Sequence, residues 1–302
     1  MRFPSLSSRF LRWPHALSAA VLLLASPMLS AQSAPPVDVP WNDAVPPGTA
    51  AHVERALAES SRHGEWVDIP LPEGGAPLNS WVVYPERPDK APVVLVIHDI
   101  RGLSNWARAV ADQLAQDGFI AIAPDFLSGK GPDGGGTASL GDQVGQAIRA
   151  LPEQEVVARL NAARAYGEGL AASNGRTGVL GFCWGGTQSF LYALEQPKLG
   201  ASVVFYGNVP GSNATQAPED RMAKIAAPVL GLYAGNDARI NATLPPTLTA
   251  MMKLNKTYEY HTFEAAGHGF TGRQDGAGGA NARAARQAWP LALDFLRRHL
   301  EP

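Results

Sequence analysis

The chain contains a single cysteine, Cys183, within the segment Gly181–Gly186, which reads Gly-Phe-Cys-Trp-Gly-Gly. The apolar run Arg176–Phe182 before it is typical of a buried strand, and Thr187–Glu195 after it predicts a helix that ends before Pro197. Glycines on both sides of the cysteine allow the backbone to turn sharply between the two elements. A strand, a tight turn with one reactive side chain and a helix form a nucleophile elbow. The segment therefore predicts an α/β fold in which Cys183 is the candidate nucleophile.

The rest of the chain alternates apolar strands with helices. Continuous apolar strands separated by helices indicate a mostly parallel sheet covered by helices on both faces. A chain of 302 residues is long enough for one large domain of this class. The predicted strands are 79–84, 93–98, 119–123, 176–182, 201–206, 228–233 and 257–263, and the predicted helices are 52–61, 105–116, 145–172 with a break at 152, 187–195, 246–254 and 280–300.

The N-terminus, residues 1–31, is predicted to be a secretory signal peptide. It has a basic stretch over residues 2–15, an apolar run over Ala16–Ala25 and the small residue Ala31 at the expected cleavage point. The apolar run is short for a membrane span. An uncleaved anchor is the alternative, because Leu29 is a poor residue three positions before the cut. We expect an exported protein, periplasmic or secreted, without stable membrane association after cleavage.

The mature chain is predicted to consist of residues 32–62, an N-terminal arm and a short helix, and residues 63–302, the α/β domain. Ala34–Gly48 is rich in proline and is expected to run extended over the surface. Two glycine-rich tracts, Ser128–Gly136 and Gly272–Gly279, are expected to pack poorly and to form mobile loops. Neither tract has the spacing of a phosphate-binding loop, so a nucleotide site is not expected.

Charge and cysteine content exclude several function classes. A net charge of −2 with 17% charged residues gives no electrostatic signature of nucleic-acid or anionic-lipid binding. An exported chain with one cysteine cannot form an internal disulfide, so the thiol is free for chemistry or is paired with another molecule. The sequence has no C-x-x-C motif, which argues against a redox role. We expect no metal and no cofactor, and a monomeric protein.

Polar side chains follow two later strands, at the edge where Cys183 is expected. Asp237 comes after the predicted strand 228–233, and His268 comes after the predicted strand 257–263. Because reactive groups gather beyond the carboxyl ends of parallel strands, we expect the three side chains to meet. The imidazole of His268 could take the thiol proton while Asp237 orients the ring. The backbone N–H groups of Ile100 and Trp184 could stabilise an oxyanion.

Each of these residues also has a structural interpretation. A lone cysteine is most often a small buried hydrophobic residue. Asp237 lies in Gly-Asn-Asp, a sequence typical of a turn. His98, at the end of a predicted strand, is interpreted as structural. The order of Cys183, Asp237 and His268 favours catalysis, because it is the order of nucleophile, acid and base in α/β-hydrolases.

With these motifs the chain resembles the dienelactone hydrolase family from about Trp66 to its C-terminus. The resemblance implies an α/β-hydrolase fold with a triad formed by Cys183, Asp237 and His268. It also implies that Asp99 occupies the position of a glutamate that interacts with the cysteine and assists thiolate formation. The resemblance depends on the segments 96–103, 123–125, 181–186, 235–237 and 267–270.

The resemblance is weaker at the positions that bind substrate. Two arginines of the family that hold a substrate carboxylate correspond to Gly129 and Gly272. Lys130 and Arg273 lie one position later and, with Arg101, are candidate substrate contacts. The alternative for Lys130 and Arg273 is that they are solvated surface charges.

The leading hypothesis is a hydrolase that cleaves a small-molecule ester or lactone through a thioester on Cys183. A second hypothesis is a carboxylesterase with broader specificity that acts on another acyl substrate. A third, from a different class, is a noncatalytic binding protein that retains the fold, because one fold can carry unrelated functions.

Overall fold

Eight strands form one sheet in a computed structural model that describes residues 35–302. The predicted signal peptide lies outside the described residues. The strands are β1 Gly64–Ile69, β2 Leu78–Val83, β3 Ala91–Ile97, β4 Ile120–Pro124, β5 Ser173–Phe182, β6 Ala201–Phe205, β7 Val229–Ala234 and β8 Tyr258–Phe263. The helices are α1 Ala50–Glu59, α2 Asn105–Gln116, α3 Thr137–Leu140, α4 Val144–Ala150, α5 Glu153–Gly169, α6 Trp184–Glu195, α7 Glu219–Met222, α8 Ala238–Asn241, α9 Leu244–Lys253 and α10 Ala280–Leu300.

The sheet is mostly parallel, as the alternation of elements predicts. Its strand order is β1-β2-β4-β3-β5-β6-β7-β8, in which the β1–β2 and β2–β4 pairs are antiparallel and the other pairs are parallel. The sequence patterns missed β1, whose residues Gly-Glu-Trp-Val-Asp-Ile lie at the sheet edge and are half-exposed or exposed except for Ile69. An edge strand buries little apolar surface, so its sequence lacks the continuous apolar run that identifies the central strands.

Helices cover both faces of the sheet and bury two apolar cores. Buried residues of α2 and α10 pack with the sheet in one core, and those of α5, α6 and α9 pack in the other. The central strand β3 is buried at all seven positions. This arrangement fixes the carboxyl ends of the parallel strands at one edge of the sheet. None of the helices within residues 35–302 combines the length and the apolar character that a membrane crossing requires.

The N-terminal arm, residues 35–48, is more deeply packed than the sequence predicts. Residues 35–302 belong to one compact unit, without a division at residue 63. Residues 45–48 of the arm are buried, which corrects the expectation of an arm that runs only over the surface. The tract Gly272–Gly279 also packs, because Gln274 is only 3% exposed and a Cβ on Gly272 would lie 3.0 Å from the Trp106 ring.

Candidate active site

Cys183 lies in the sharp turn between β5 and α6 that its flanking glycines predict. Its φ of 58° and ψ of −113° are unusual for a residue with a side chain, a conformation that costs about 1–3 kcal/mol. The turn needs small neighbours, because a Cβ on Gly181 would lie 2.1 Å from the Gly185 carbonyl oxygen and one on Gly185 would lie 2.3 Å from that of Ile97. The thiol is partly exposed. The surrounding core therefore holds Cys183 in a strained conformation at the sheet edge.

His268 and Asp237 meet at the same edge, beyond β8 and β7. The Nδ1 atom of His268 lies 2.5 Å from Oδ2 of Asp237. The other carboxylate oxygen of Asp237 accepts from the backbone N–H of Ile240 at 3.4 Å, so Asp237 also caps α8. The turn interpretation of Asp237 and the triad interpretation are thus compatible, because one carboxylate oxygen serves each purpose.

The electrostatics of this pair favour a charged imidazole. Burial alone lowers the pKa of His268, but the hydrogen bond to Asp237 and the influence of the Cys183 sulfur outweigh it and raise the pKa to about 9. Burial opposes ionisation of Asp237, yet the hydrogen bond from His268 keeps the pKa of that carboxyl below its ordinary value. The raised pKa favours a protonated His268 at neutral pH, beside the Asp237 carboxylate.

Asp99 lies near the cysteine, but its carboxylate is held by Arg101. The backbone N–H of Arg101 donates to Oδ1 at 2.8 Å, its Nε lies 3.0 Å from both oxygens and its Nη2 lies 2.6 Å from Oδ2. The Asp99 side chain is only 14% exposed. The acid that the sequence places beside Cys183 is thus neutralised by a side chain two residues later.

Two backbone N–H groups lie where the sequence predicts an oxyanion site. Ile100 follows β3, and Trp184 is the first residue of α6, directly after Cys183. Among the described residues neither N–H donates to another group. His98 supports both loops, since its Nδ1 lies 2.9 Å from the Asp99 carbonyl oxygen and its ring stacks on Trp184 at 5.7 Å between centroids. Burial lowers the pKa of His98, which fits its interpretation as a structural, neutral imidazole.

Cys183, His268 and Ile100 line a cavity of about 140 Å³. Arg101 and Arg273 line it, so two of the three basic candidates lie at the site. Lys130 does not line it, because its ammonium pairs with Glu155 at 2.8 Å beside a different cleft. The structure therefore does not bring Lys130 together with the other two basic candidates. The lining consists of Asp99, Ile100, Arg101, Trp106, Cys183, Tyr206, His268, Gly269, Gly272 and Arg273.

Sequence reasoning missed two large side chains in the cavity wall. Tyr206 follows β6 directly and has a φ of 40°. Its ring centroid lies 5.0 Å from that of His268, and its hydroxyl hydrogen-bonds with Thr271. Trp106, in the first turn of α2, packs against Phe182 at 4.8 Å between centroids. A signal for Tyr206 was available, because the same rule that selected Asp237 applies to every residue that follows a parallel strand.

Residues 35–302 contain no group of three or more His, Cys, Asp or Glu side chains arranged to hold a metal ion. Four side chains of the site are instead arranged in two pairs, Asp237 with His268 and Asp99 with Arg101. The arrangement is suited to transferring a proton between the thiol of Cys183 and the imidazole of His268. Backbone N–H groups at the same edge could donate to the carbonyl oxygen of a bound substrate.

Comparisons with known proteins show which family the chain is similar to. A model described as "Dienelactone hydrolase family" matches residues 78–300. A "Putative carboxymethylenebutenolidase" of Methylorubrum extorquens is 31% identical over 238 residues, covering 77% of this chain and 80% of that protein. A "Probable 2-oxo-3-(5-oxofuran-2-ylidene)propanoate lactonase" of Bradyrhizobium is 32% identical over 245 residues, covering 78% of this chain and 94% of that protein. The crystal structure of a "Putative Dienelactone Hydrolase" from Klebsiella pneumoniae matches with a TM-score of 0.66 at 26% identity, covering 79% of this chain and 100% of that chain.

Proposed function

Because the chain belongs to the dienelactone hydrolase family, with hydrolase activity on lactone or ester bonds, we propose that it works through a thioester on Cys183. One observation carries the proposal. His268 Nδ1 lies 2.5 Å from Oδ2 of Asp237 in the cavity that Cys183 also lines, and Asp237 together with the Cys183 sulfur raises the pKa of His268 to about 9. Such an imidazolium stabilises a neighbouring thiolate, which is the nucleophilic form of cysteine.

In the first half of the reaction, the thiolate of Cys183 attacks the carbonyl carbon and a C–S bond forms. The negative charge moves to the carbonyl oxygen, where the N–H groups of Ile100 and Trp184 donate to it. The carbonyl then re-forms as the C–O bond to the leaving group breaks. The leaving oxygen takes the proton from His268. For a lactone, this oxygen stays attached to the acyl group as a hydroxyl.

In the second half, His268 is neutral and accepts a proton from water. The hydroxide attacks the thioester carbon, the C–S bond breaks, and the products are a carboxylic acid and the thiolate of Cys183. Asp237 holds the Nδ1 side of the ring, so the Nε2 side remains available for both proton transfers. No redox partner or metal is needed to balance either half.

The cavity suggests the class of substrate. Its volume of about 140 Å³ is close to the ~150 Å³ cavity that accommodates benzene, which favours a small acyl group. Arg273, the basic lining residue outside the Asp99–Arg101 pair, favours an acyl group with a negative charge. A carboxylesterase acting on a neutral acyl group is the second candidate, because Gly129 and Gly272 stand where the resemblance places arginines.

Hydrolysis of a dienelactone and of p-nitrophenyl acetate by the full chain and by Cys183→Ala tests the proposal. We expect both substrates to be cleaved by the wild type and neither by the variant. Cleavage of the ester alone, dependent on Cys183, favours the carboxylesterase. Activity that survives in Cys183→Ala, or no activity in the wild type, contradicts the proposal, and the second outcome favours a binding protein.

We also propose that the protein is exported and that its signal peptide is cleaved after residue 31. The proposal rests on the basic and apolar pattern of residues 2–25. N-terminal sequencing of protein recovered from the periplasm or the medium tests it. An intact N-terminus in a membrane fraction favours the uncleaved anchor.

A further inference from the structure

Three consecutive carbonyl groups of the N-terminal arm accept hydrogen bonds from Trp106, which lines the active-site cavity, and from Gln274, the neighbour of the lining residue Arg273. Gln274 Nε2 donates to Pro46 O at 2.8 Å, Trp106 Nε1 donates to Pro47 O at 2.9 Å, and the Gln274 backbone N–H donates to Gly48 O at 3.1 Å. Both side-chain bonds are buried. Buried bonds of this kind resist displacement, because a donor or acceptor left without a partner costs about 1–3 kcal/mol.

Each bond leads to a residue of the cavity wall. Trp106 lines the cavity itself. Gln274 follows Arg273, which also lines the cavity. The Nε2 atom of Gln274 donates in addition to Thr271 O at 3.1 Å. Thr271 in turn hydrogen-bonds to the hydroxyl of Tyr206, a third wall residue. The arm therefore connects two separate parts of the wall, the first turn of α2 and the loop after His268.

The contact between the arm and this loop is close. A Cβ on Gly48 would lie 2.3–2.4 Å from the Cβ, Cγ and Cδ atoms of Gln274. Farther along the arm, Val37 N donates to Asp275 O at 2.8 Å, and Gln116 Nε2 donates to Asp43 O at 2.9 Å. The arm is thus attached to α2 and to the loop along most of its length. It also precedes residues 78–300, the part that the family model matches.

A small cavity makes this attachment important for substrate choice. At about 140 Å³ the cavity accommodates few non-hydrogen atoms, so a small displacement of one wall decides whether a further methylene fits. In a hydrophobic pocket one methylene changes the specificity constant about 10–200-fold.

We propose that the N-terminal arm is a specificity-determining element, which holds Trp106 and the 271–275 loop together and so limits the size of the acyl group. The inference rests on the proposed function, since it concerns the cavity that contains Cys183. The arm does not touch the reacting atoms. It acts by positioning the wall.

Two variants outside the cavity lining release the loop from the arm. Gln274→Met keeps the side-chain length but removes the donor to Pro46 and Thr271. Gly48→Ala places a methyl group against Gln274 and separates the two backbones. The matched controls are Gln154→Met, at an exposed position, and Gly169→Ala, where an added Cβ meets nothing within 4 Å.

The first readout is kcat and KM for p-nitrophenyl acetate, butyrate and hexanoate. We expect the ratio of kcat/KM for hexanoate to that for acetate to rise about tenfold in both variants and to stay unchanged in the controls. A merely structural role would lower kcat for all three esters by one factor, through loss of folded protein, and would leave KM and the ratio unchanged. A ratio within about twofold of the wild type in both variants overturns the inference.

The second readout does not need hydrolysis. Cys183 is the chain's only cysteine, so its alkylation by N-ethylmaleimide and by the bulkier N-phenylmaleimide gauges the cavity directly. We expect the rate ratio of phenyl to ethyl reagent to rise in Gln274→Met and Gly48→Ala. If the wild type cleaves none of the esters, the proposed function fails, and the ratio of alkylation rates alone decides whether the arm limits the size of the cavity. If one variant does not fold, the other supplies the result.

Discussion

Replacing Asp237 by asparagine should lower the pKa of His268 from about 9 to nearer neutrality. Burial is the largest influence on this imidazole and lowers its pKa, whereas Asp237 and the Cys183 sulfur raise it. The amide of asparagine keeps the size of the side chain but removes its charge. In Asp237→Asn burial is therefore opposed by Cys183 alone. In the double variant with Cys183→Ala burial is unopposed, and the pKa should fall below the ordinary 6.5.

The size of the effect follows from the raised pKa. A value of about 9 against 6.5 corresponds to about 3 kcal/mol in favour of the imidazolium. The His268 side chain is 32% exposed, so screening by solvent reduces this to about 2 kcal/mol. We thus expect Asp237→Asn to move the midpoint by at least about one pH unit. We also expect kcat for ester hydrolysis to fall about 10²–10⁴-fold, because the ring loses its orienting partner.

The assay is an NMR titration of the histidine Cε1–H signals. The chain has seven histidines, and the signal of His268 is the one that disappears in His268→Gln. Asp294→Asn is the matched control, because it removes the charge of an exposed aspartate that pairs with Arg298. It should leave the midpoint of His268 unchanged. A midpoint that stays near 9 in Asp237→Asn would refute the conclusion that Asp237 holds the proton on this ring.

Three further predictions concern the same edge of the sheet. Gly185→Ala should destabilise the fold by about 1–3 kcal/mol in urea unfolding and abolish ester hydrolysis, because the added methyl group collides with the backbone at the end of β3. The control Gly169→Ala should change neither stability nor hydrolysis. Thr271→Val should lower the free energy of unfolding by about 1–3 kcal/mol, because it leaves the buried Tyr206 hydroxyl unpaired. Adding Tyr206→Phe should recover part of that loss. If the losses of the two single variants simply add in the double variant, the pairing is contradicted. The raised pKa of His268 should stabilise the fold fully below pH 6.5, and this stabilisation should be lost as the pH rises through about 9. The difference in melting temperature between the wild type and His268→Gln should therefore decline over that range. A difference that rises would contradict the prediction.

The sequence predicts the central fold well because its signals are local. Strands buried on both faces are continuous apolar runs, and the turn at Cys183 needs glycines at fixed positions, so both can be identified from neighbouring residues. The bounds of α2 and α10 agree with their predicted ranges, 105–116 and 280–300. The sheet edge then brings Asp237 and His268 together, because strand order alone determines which loops are neighbours.

The remaining features depend on contacts that no local pattern encodes. The arm is attached through the carbonyl groups of Pro46, Pro47 and Gly48, and every residue has a carbonyl, so their sequence says only that the segment is extended. Its partners Trp106 and Gln274 lie about 60 and 230 residues away in the chain. Long-range bonds to backbone atoms are therefore the part of this site that sequence patterns miss.

The charges of the cavity combine both kinds of information. The pair of Asp99 and Arg101 is local, and the carboxylate is so fully occupied by the guanidinium that this loop presents no net charge to Cys183. The pair of Asp237 and His268 is long-range and is also neutral overall when the ring is protonated. Arg273 is then the remaining basic side chain in the lining. An anionic acyl group would meet its charge without displacing either pair, and the loop that carries Arg273 is the one that the arm holds in place.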